Sequence, residues 1–291
     1  MSTKLLSWIG AATLGLCSAS VGAVPLLGLT SANELARIDT TDIAAATRTA
    51  ITGLDAGDRF VGIDLRPIDN RVYGITQSNK LYTLNAVTGT ASFVASLSSP
   101  VVQMSQGYGI DFNPAADFAG ATSLRFTSSG GSNFAINANT GVVGNLAGMI
   151  APGFSAVAYS NSTILPTMAP PSTALYYINS ATDMLSVATG AFNAPTITPI
   201  GALGIDALNA NGFELLADGR AFAALNVDAN SSLVTGIYGI DLGSGAATLM
   251  GIYNGTLSGL TLAPVPEPGT WATLAMGLGA LGFIARRRRR A

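Results

Sequence analysis

The sequence predicts an all-β protein built from repeats, a β-propeller of about five blades. Three observations carry this. Between residues 24 and 264, short alternating apolar runs are cut by Gly, Asn-Thr-Gly and Pro, with no sustained 3.6-residue period. One five-residue pattern returns five times, as Leu35 to Asp39, Leu81 to Asn85, Asn133 to Asn137, Leu175 to Asn179 and Ile237 to Asp241. Two further elements recur around it, so that one unit holds about four strands in roughly 40 to 60 residues, the size of a propeller blade rather than a solenoid coil.

Within each copy of the pattern, alternate side chains face opposite sides of a sheet. The closing Asp or Asn then starts a turn by accepting backbone N–H groups two residues on. Three copies run into hairpins, Ala86 to Gly89, Ala138 to Gly141 and Leu242 to Gly245, where glycine supplies the positive φ. The second element is Val61-Gly-Ile-Asp64-Leu-Arg-Pro67, repeated as Tyr108-Gly-Ile-Asp111-Phe-Asn-Pro114 and more loosely as Leu257 to Pro264. The third is Arg71 to Thr76, Ser123 to Thr127 and Arg220 to Leu225. The N-terminal strand Leu26 to Thr30 is available to complete the last blade, and closing the ring removes sheet edges that would aggregate. The pattern's spacings are 46, 52, 42 and 62 residues. The last leaves room for an extra half-blade or a long loop, so six blades or a two-sheet sandwich stay open. Pro166, Pro170 and Pro171 mark an irregular surface loop.

The two ends read as processing signals. Residues 1–23 have a short positive region at Lys4, an apolar run from Leu5 to Cys17 and a small-residue site at Val21-Gly-Ala23: a signal peptide cut by signal peptidase after Ala23. A retained N-terminal anchor is the alternative. Residues 265–291 carry Pro266-Glu267-Pro268, an uncharged run from Trp271 to Ala285, and Arg286, Arg287, Arg288, Arg289 and Arg290. At ~1.5 Å per residue that run spans about 22 Å against ~30 Å of hydrocarbon, a short transmembrane helix that needs its flanks. Arginines hold to the cytoplasmic side, which places the body across the membrane from them, as the signal peptide does.

This tail resembles the PEP-CTERM sorting signal of Gram-negative bacteria. The resemblance implies that an exosortase removes the tail, that Pro266, Glu267 and Pro268 are recognised by that enzyme, and that the protein goes to the cell surface or extracellular matrix after a transient inner-membrane stage. A permanent tail anchor and a GPI signal are the alternatives, though a GPI signal does not normally end in five arginines. The body is similar to a secreted bacterial domain of unknown function often found with such tails, on the residues Leu27 to Leu35, Gly62 to Pro67 and Leu81 to Asn85. That resemblance implies a fold and a setting, and no mechanism.

Composition removes most chemistry. The chain has no histidine, and its one cysteine, Cys17, falls in the leader. Histidine-based triads, thiol nucleophiles, histidine-ligated metals and disulfides in the mature chain are therefore excluded. Apart from Lys4, Glu267 and the terminal arginines, the chain holds 8 basic and 15 acidic residues, which argues against a nucleic-acid partner. Carboxylates remain, densest at Asp55, Asp58 and Asp64. They invite calcium as a cofactor or, in pairs, glycoside hydrolysis. Against this, Asp55 and Asp58 fall in a Gly-containing turn and Asp64 recurs as Asp111, and repetition argues for structure because catalysis needs a residue once. No catalytic residue is assigned. Tyr82, Tyr108, Tyr176, Tyr177, Tyr238 and Tyr253 would stack on sugars if exposed, but tyrosines in strands pack within sheets. The reading is an exported, non-enzymatic surface or matrix protein that binds exopolysaccharide or other surface components, without a bound cofactor. The alternative is a carboxylate-based hydrolase or lyase of extracellular polysaccharide.

Overall fold

The computed structural model describes residues 22–265, except Met104, Thr122 and Ala210. The leader before residue 22, the box Pro266-Glu267-Pro268, the run Trp271 to Ala285 and Arg286 to Arg290 lie outside the described residues. Among the described residues no helix is long and apolar enough to cross a membrane.

Five four-stranded antiparallel sheets form a five-bladed propeller. Blade I combines β1 (Pro25–Thr30), β2 (Glu34–Asp39) and β3 (Asp42–Ala50) with the last strand of the chain, β20 (Leu257–Leu262), in the order β20-β1-β2-β3. Blade II is β4 (Phe60–Arg66), β5 (Arg71–Thr76), β6 (Lys80–Leu84) and β7 (Ala91–Ser96). Blade III is β8 (Tyr108–Phe112), β9 (Leu124–Ser128), β10 (Asn133–Ile136) and β11 (Val143–Gly144), with the short helix α1 (Pro114–Phe118) after its first strand. Blade IV is β12 (Phe154–Tyr159), β13 (Leu175–Asn179), β14 (Met184–Ala188) and β15 (Thr198–Ala202), and blade V is β16 (Asn211–Leu215), β17 (Ala221–Ala229), β18 (Ser232–Ile240) and β19 (Ala247–Tyr253). Among the described residues neither a sixth blade nor a sandwich is formed. The N-terminal strand closes the ring as expected, pairing Leu26 with Leu262 and Leu27 with Thr261.

The core is a set of apolar wedges between neighbouring blades. Leu27, Leu35, Phe60, Ile63 and Tyr82 fill the wedge between blades I and II, for example, and Ile178, Leu185, Phe213, Leu225 and Tyr238 that between IV and V. Strands near the axis are covered on both faces, which is why β4, β8, β12 and β16 are almost wholly buried.

The recurrent Asp or Asn does what its position predicts. Asn85 Oδ1 accepts the N–H groups of Val87 and Thr88, both at 2.9 Å, and Asn137, Asn179 and Asp241 each accept two in the same way. Asp39 accepts the N–H and the hydroxyl of Thr41. The hairpin glycines Gly89, Gly141 and Gly245 have φ of 72°, 73° and 83°. Removing one turn acceptor, as in Asn85→Ala, is expected to cost about 1 kcal/mol in denaturant unfolding, since two backbone donors turn to water instead.

One copy is misplaced by the sequence pattern. Leu175 to Asn179 is β13, the second strand of its blade, whereas the other four copies are third strands. The third strand of blade IV is Met184–Ala188, whose turn at Thr189-Gly190 has no Asx residue to announce it. With that strand in place the third strands of blades II to V end at Leu84, Ile136, Ala188 and Ile240, each 52 residues after the last. The uneven 42 and 62 spacings disappear. The proline-rich residues 160–174 form the loop between β12 and β13.

Candidate functional site

The innermost strands align residue for residue around the axis. Gly62, Gly109, Ala156, Gly212 and Gly259 form one layer, and Ile63, Ile110, Val157, Phe213 and Leu260 the next. Asp64, Asp111, Ala158, Glu214 and Thr261 form the third. The small first layer lets the strands converge until the axial void between blades is about 10 Å³, about the room for one water.

The third layer is a ring of bonds from each blade to the next. Asp64 Oδ2 accepts the Phe112 N–H at 2.8 Å, Asp111 Oδ1 the Tyr159 N–H at 2.9 Å, Glu214 Oε2 the Leu262 N–H at 3.1 Å, and Thr261 Oγ1 the Leu65 N–H at 2.9 Å. Only Ala158 cannot take part. Oxygens of Asp64, Asp111 and Glu214 lie within 4.8 Å of one another. The three residues are 3%, 2% and 4% exposed.

Three carboxyl groups so close and so dry cannot all ionise. Burial pushes the Asp64 carboxyl up to about 7, despite hydrogen bonds from Thr261, Phe112 and Leu65 that favour its charged form. Burial, and after it the neighbouring carboxylates, hold Asp111 and Glu214 well above the usual range. Thr261 gives independent geometric support. Its Oγ1 lies 2.8 Å from Asp64 Oδ1 and 2.9 Å from Glu214 Oε2. A hydroxyl has one proton to give, so one of those carboxyl groups must donate its own to Thr261.

The structure does not bring Asp55, Asp58 and Asp64 together. Asp55 pairs with Lys80 on the surface. Asp58 accepts the Arg59 and Ser78 N–H groups at 2.9 and 3.1 Å and the Ser78 hydroxyl, holding a turn closed by the Asp58 N–H to Asp55 O bond. Asp64 stands inside β4 and faces the axis, not at a strand end. Its companion Glu214 escaped the sequence reading because Gly212-Phe-Glu214 was not set beside Gly62-Ile-Asp64. Ala23 is exposed and next to the fold: Val24 is buried, its N–H donating to Thr40 Oγ1 at 2.9 Å. Of the tyrosines named above, all but the half-buried Tyr176 are buried, so none of those five offers a sugar platform.

On the face where the inner strands begin, a depression of about 240 Å³ is open to solvent, lined by Arg59, Gln77, Gln103, Ser105, Gln106 and Tyr108 among others. Gln106 Nε2 donates to Gln103 Oε1 at 3.0 Å, while Gln106 Oε1 is enclosed and accepts no hydrogen bond.

Fold and site together define a closed five-bladed propeller with a buried ring of hydrogen-bonded carboxyl groups at its axis. The chain belongs to the family described as "Domain of unknown function (DUF4394)", whose model matches residues 34–261, and a PEP-CTERM protein-sorting motif matches residues 264–290. That motif marks an exported, cell-surface protein processed by an exosortase. A comparison with curated proteins gives no match. Among solved structures the chain is similar to a Bacteroides fragilis NCTC 9343 protein provisionally named a 6-phosphogluconolactonase, at 13% identity and TM-score 0.42, covering 81% of this chain and 83% of that one. A Bacteroides uniformis ATCC 8492 protein of the same provisional name is similar at 12% identity and TM-score 0.39, covering 79% and 82%. A Lactobacillus plantarum protein is similar at 12% and 0.39, covering 82% and 99%. At these identities and scores the likenesses assign no activity.

Proposed function

We propose that the chain is a non-enzymatic propeller delivered to the bacterial surface or extracellular matrix, where it binds matrix polysaccharide. The observation that carries this reading is the sealed axis. A carboxylate-based hydrolase or lyase needs its acids in an open cleft, with a substrate between them. Here the acids that come together are almost wholly buried, the axial void in the layers next to them is only about 10 Å³, and each acid accepts a backbone N–H of the next blade. Their work is to join blades. The open depression, lined by the amides of Gln77, Gln103 and Gln106, supports sugar hydroxyls as ligands, since amides both give and accept hydrogen bonds.

Processing is the first thing to measure, by intact and peptide mass spectrometry on protein recovered separately from membrane, matrix and medium. A matrix form beginning at Val24 and ending near Pro266 is expected. A chain that keeps Trp271 to Ala291 in the membrane fraction would overturn delivery to the matrix. In the same preparations, Gln106→Ala is expected to weaken retention on isolated exopolysaccharide several-fold, as loss of a ligand hydrogen bond does.

Calcium is not needed in this reading. Three buried carboxyl groups fall short of the six to eight oxygens calcium takes, and Asp55 and Asp58 are engaged elsewhere. The melting temperature is expected to be the same in excess calcium and in chelator. A rise of several degrees with calcium would show a bound ion.

A further inference from the structure

The described chain ends in a fixed position. Val265 is clamped by Asn70, whose side chain donates to Val265 O at 2.7 Å and accepts the Val265 N–H at 3.0 Å. No slack therefore separates the propeller from the sorting box, which begins at the next residue. Pro264 and Val265 line a surface groove of about 820 Å³ on the seam between blades I and II, with Arg37 on one wall and Arg71 on the other.

Those two arginines are unlike the other basic residues. Residues 22–265 contain eight Lys and Arg. Arg48 donates to Tyr253 and Asn254, Arg59 to Ser31, Arg66 to Asp117, Lys80 to Asp55, Arg125 to Asn133 and Asn193, and Arg220 to Asp218. Among the described residues, only Arg37 and Arg71 have no partner for their side chains. The one acidic residue beyond Val265 is Glu267, two positions on. At up to ~3.5 Å per residue it lies within about 7 Å of the clamp along the backbone, inside the reach of an Arg–Glu pair.

We propose that this groove is an intramolecular docking site for the sorting box, with Glu267 paired to Arg71 or Arg37. The inference rests on the box being the processed segment, but its geometry can be measured without the processing enzyme. Docking would hold the scissile region against the seam between blades I and II, just past the strand that closes the ring, so that the box takes its place only once the ring has closed.

The test is zero-length carbodiimide cross-linking of the full chain, made in a host without exosortase and kept dilute in detergent. Arginine does not form amides this way, so Arg71→Lys and Arg37→Lys are used, which keep the charge. The native Lys80–Asp55 pair in the same molecule is the internal positive control. An amide joining position 71 or 37 to Glu267, in yield comparable to the control and absent after Glu267→Gln, is the expected result. Formation of the control amide with none to Glu267 from either lysine would overturn the proposal. Because no processing occurs in this host, that failure is distinct from a failure of exosortase cleavage in the native one.

Discussion

Raising the pH from 5 to 8 is expected to lower the melting temperature of the processed protein by about 10 °C. The direction follows from the axial ring. Asp64 has a folded value of about 7 against 3.8 in the unfolded chain, so over that interval the folded state holds a proton that the unfolded state has released. Its contribution is complete below the unfolded value and is lost as pH rises through the folded one. Asp111 and Glu214 are raised as well and extend the loss to higher pH. The window is clean because the chain has no histidine, the side chain that otherwise titrates there. At the acid end the sign reverses. Asp241 is held down by N–H groups of Ser244 and Gly243, and Asp39 by the Thr41 hydroxyl, so what they contribute fades as pH falls below the carboxylate range. Thermal melts at unit pH steps should peak between these limits. Asp111→Asn keeps an acceptor for the Tyr159 N–H while removing one charge, and should raise the melting temperature at pH 8 and flatten the profile. A flat wild-type profile from 5 to 8 would mean that the ring is ionised in the folded protein.

The second large effect concerns convergence at the axis. Gly212→Ala is expected to cost about 4 kcal/mol or more, enough to leave little folded protein. A methyl there would fall on backbone of β20, 2.6 Å from the Gly259 carbonyl carbon and nearer still to the Leu260 nitrogen. Neither can retreat, because β20 is held by β1 on one side and by the ring through Thr261 on the other. Gly259→Ala is the control. Its methyl would meet Leu29 Cβ at 3.5 Å and the Ile63 nitrogen at 3.7 Å, ordinary contacts, and should cost no more than about 1 kcal/mol. Gly109→Ala, 2.7 Å from the Val157 nitrogen, belongs with Gly212. Denaturant midpoints that fail to separate Gly212 and Gly109 from Gly259 would mean that the inner strands have room to part.

Much of this architecture was legible in the sequence because blades repeat their turn chemistry. Every Asp or Asn singled out as a turn former accepts the predicted N–H, and Val61 to Pro67, Tyr108 to Pro114 and Leu257 to Pro264 are all inner strands. What escaped is what the repeat varies. Blade IV replaces the Asx turn with Thr189-Gly190, so its third strand passed unnoticed and its second strand took that place. Glu214 and Thr261 stand where other blades have Asp, and only alignment by the axial glycines reveals the layer. Periodicity says that Asp64 points to one face of its sheet. It does not say that five such faces meet at one axis, which is set by closure.

Closure also decides how the molecule would bear load. The segment that leads to the sorting tail issues from β20, a strand at the centre of the disc rather than at its rim. A pull on the tail, directed away from that face, runs along β20 and strains its rungs to β1 together, from Leu262–Leu26 back to Leu257–Thr30. Loaded in shear, these bonds must yield almost at once instead of one after another, and the threonine at position 261 adds a cross-pin to two other blades. Attached at a surface swept by flow through the C-terminus that processing leaves, such a protein would meet tension with all the rungs of this strand pair at once.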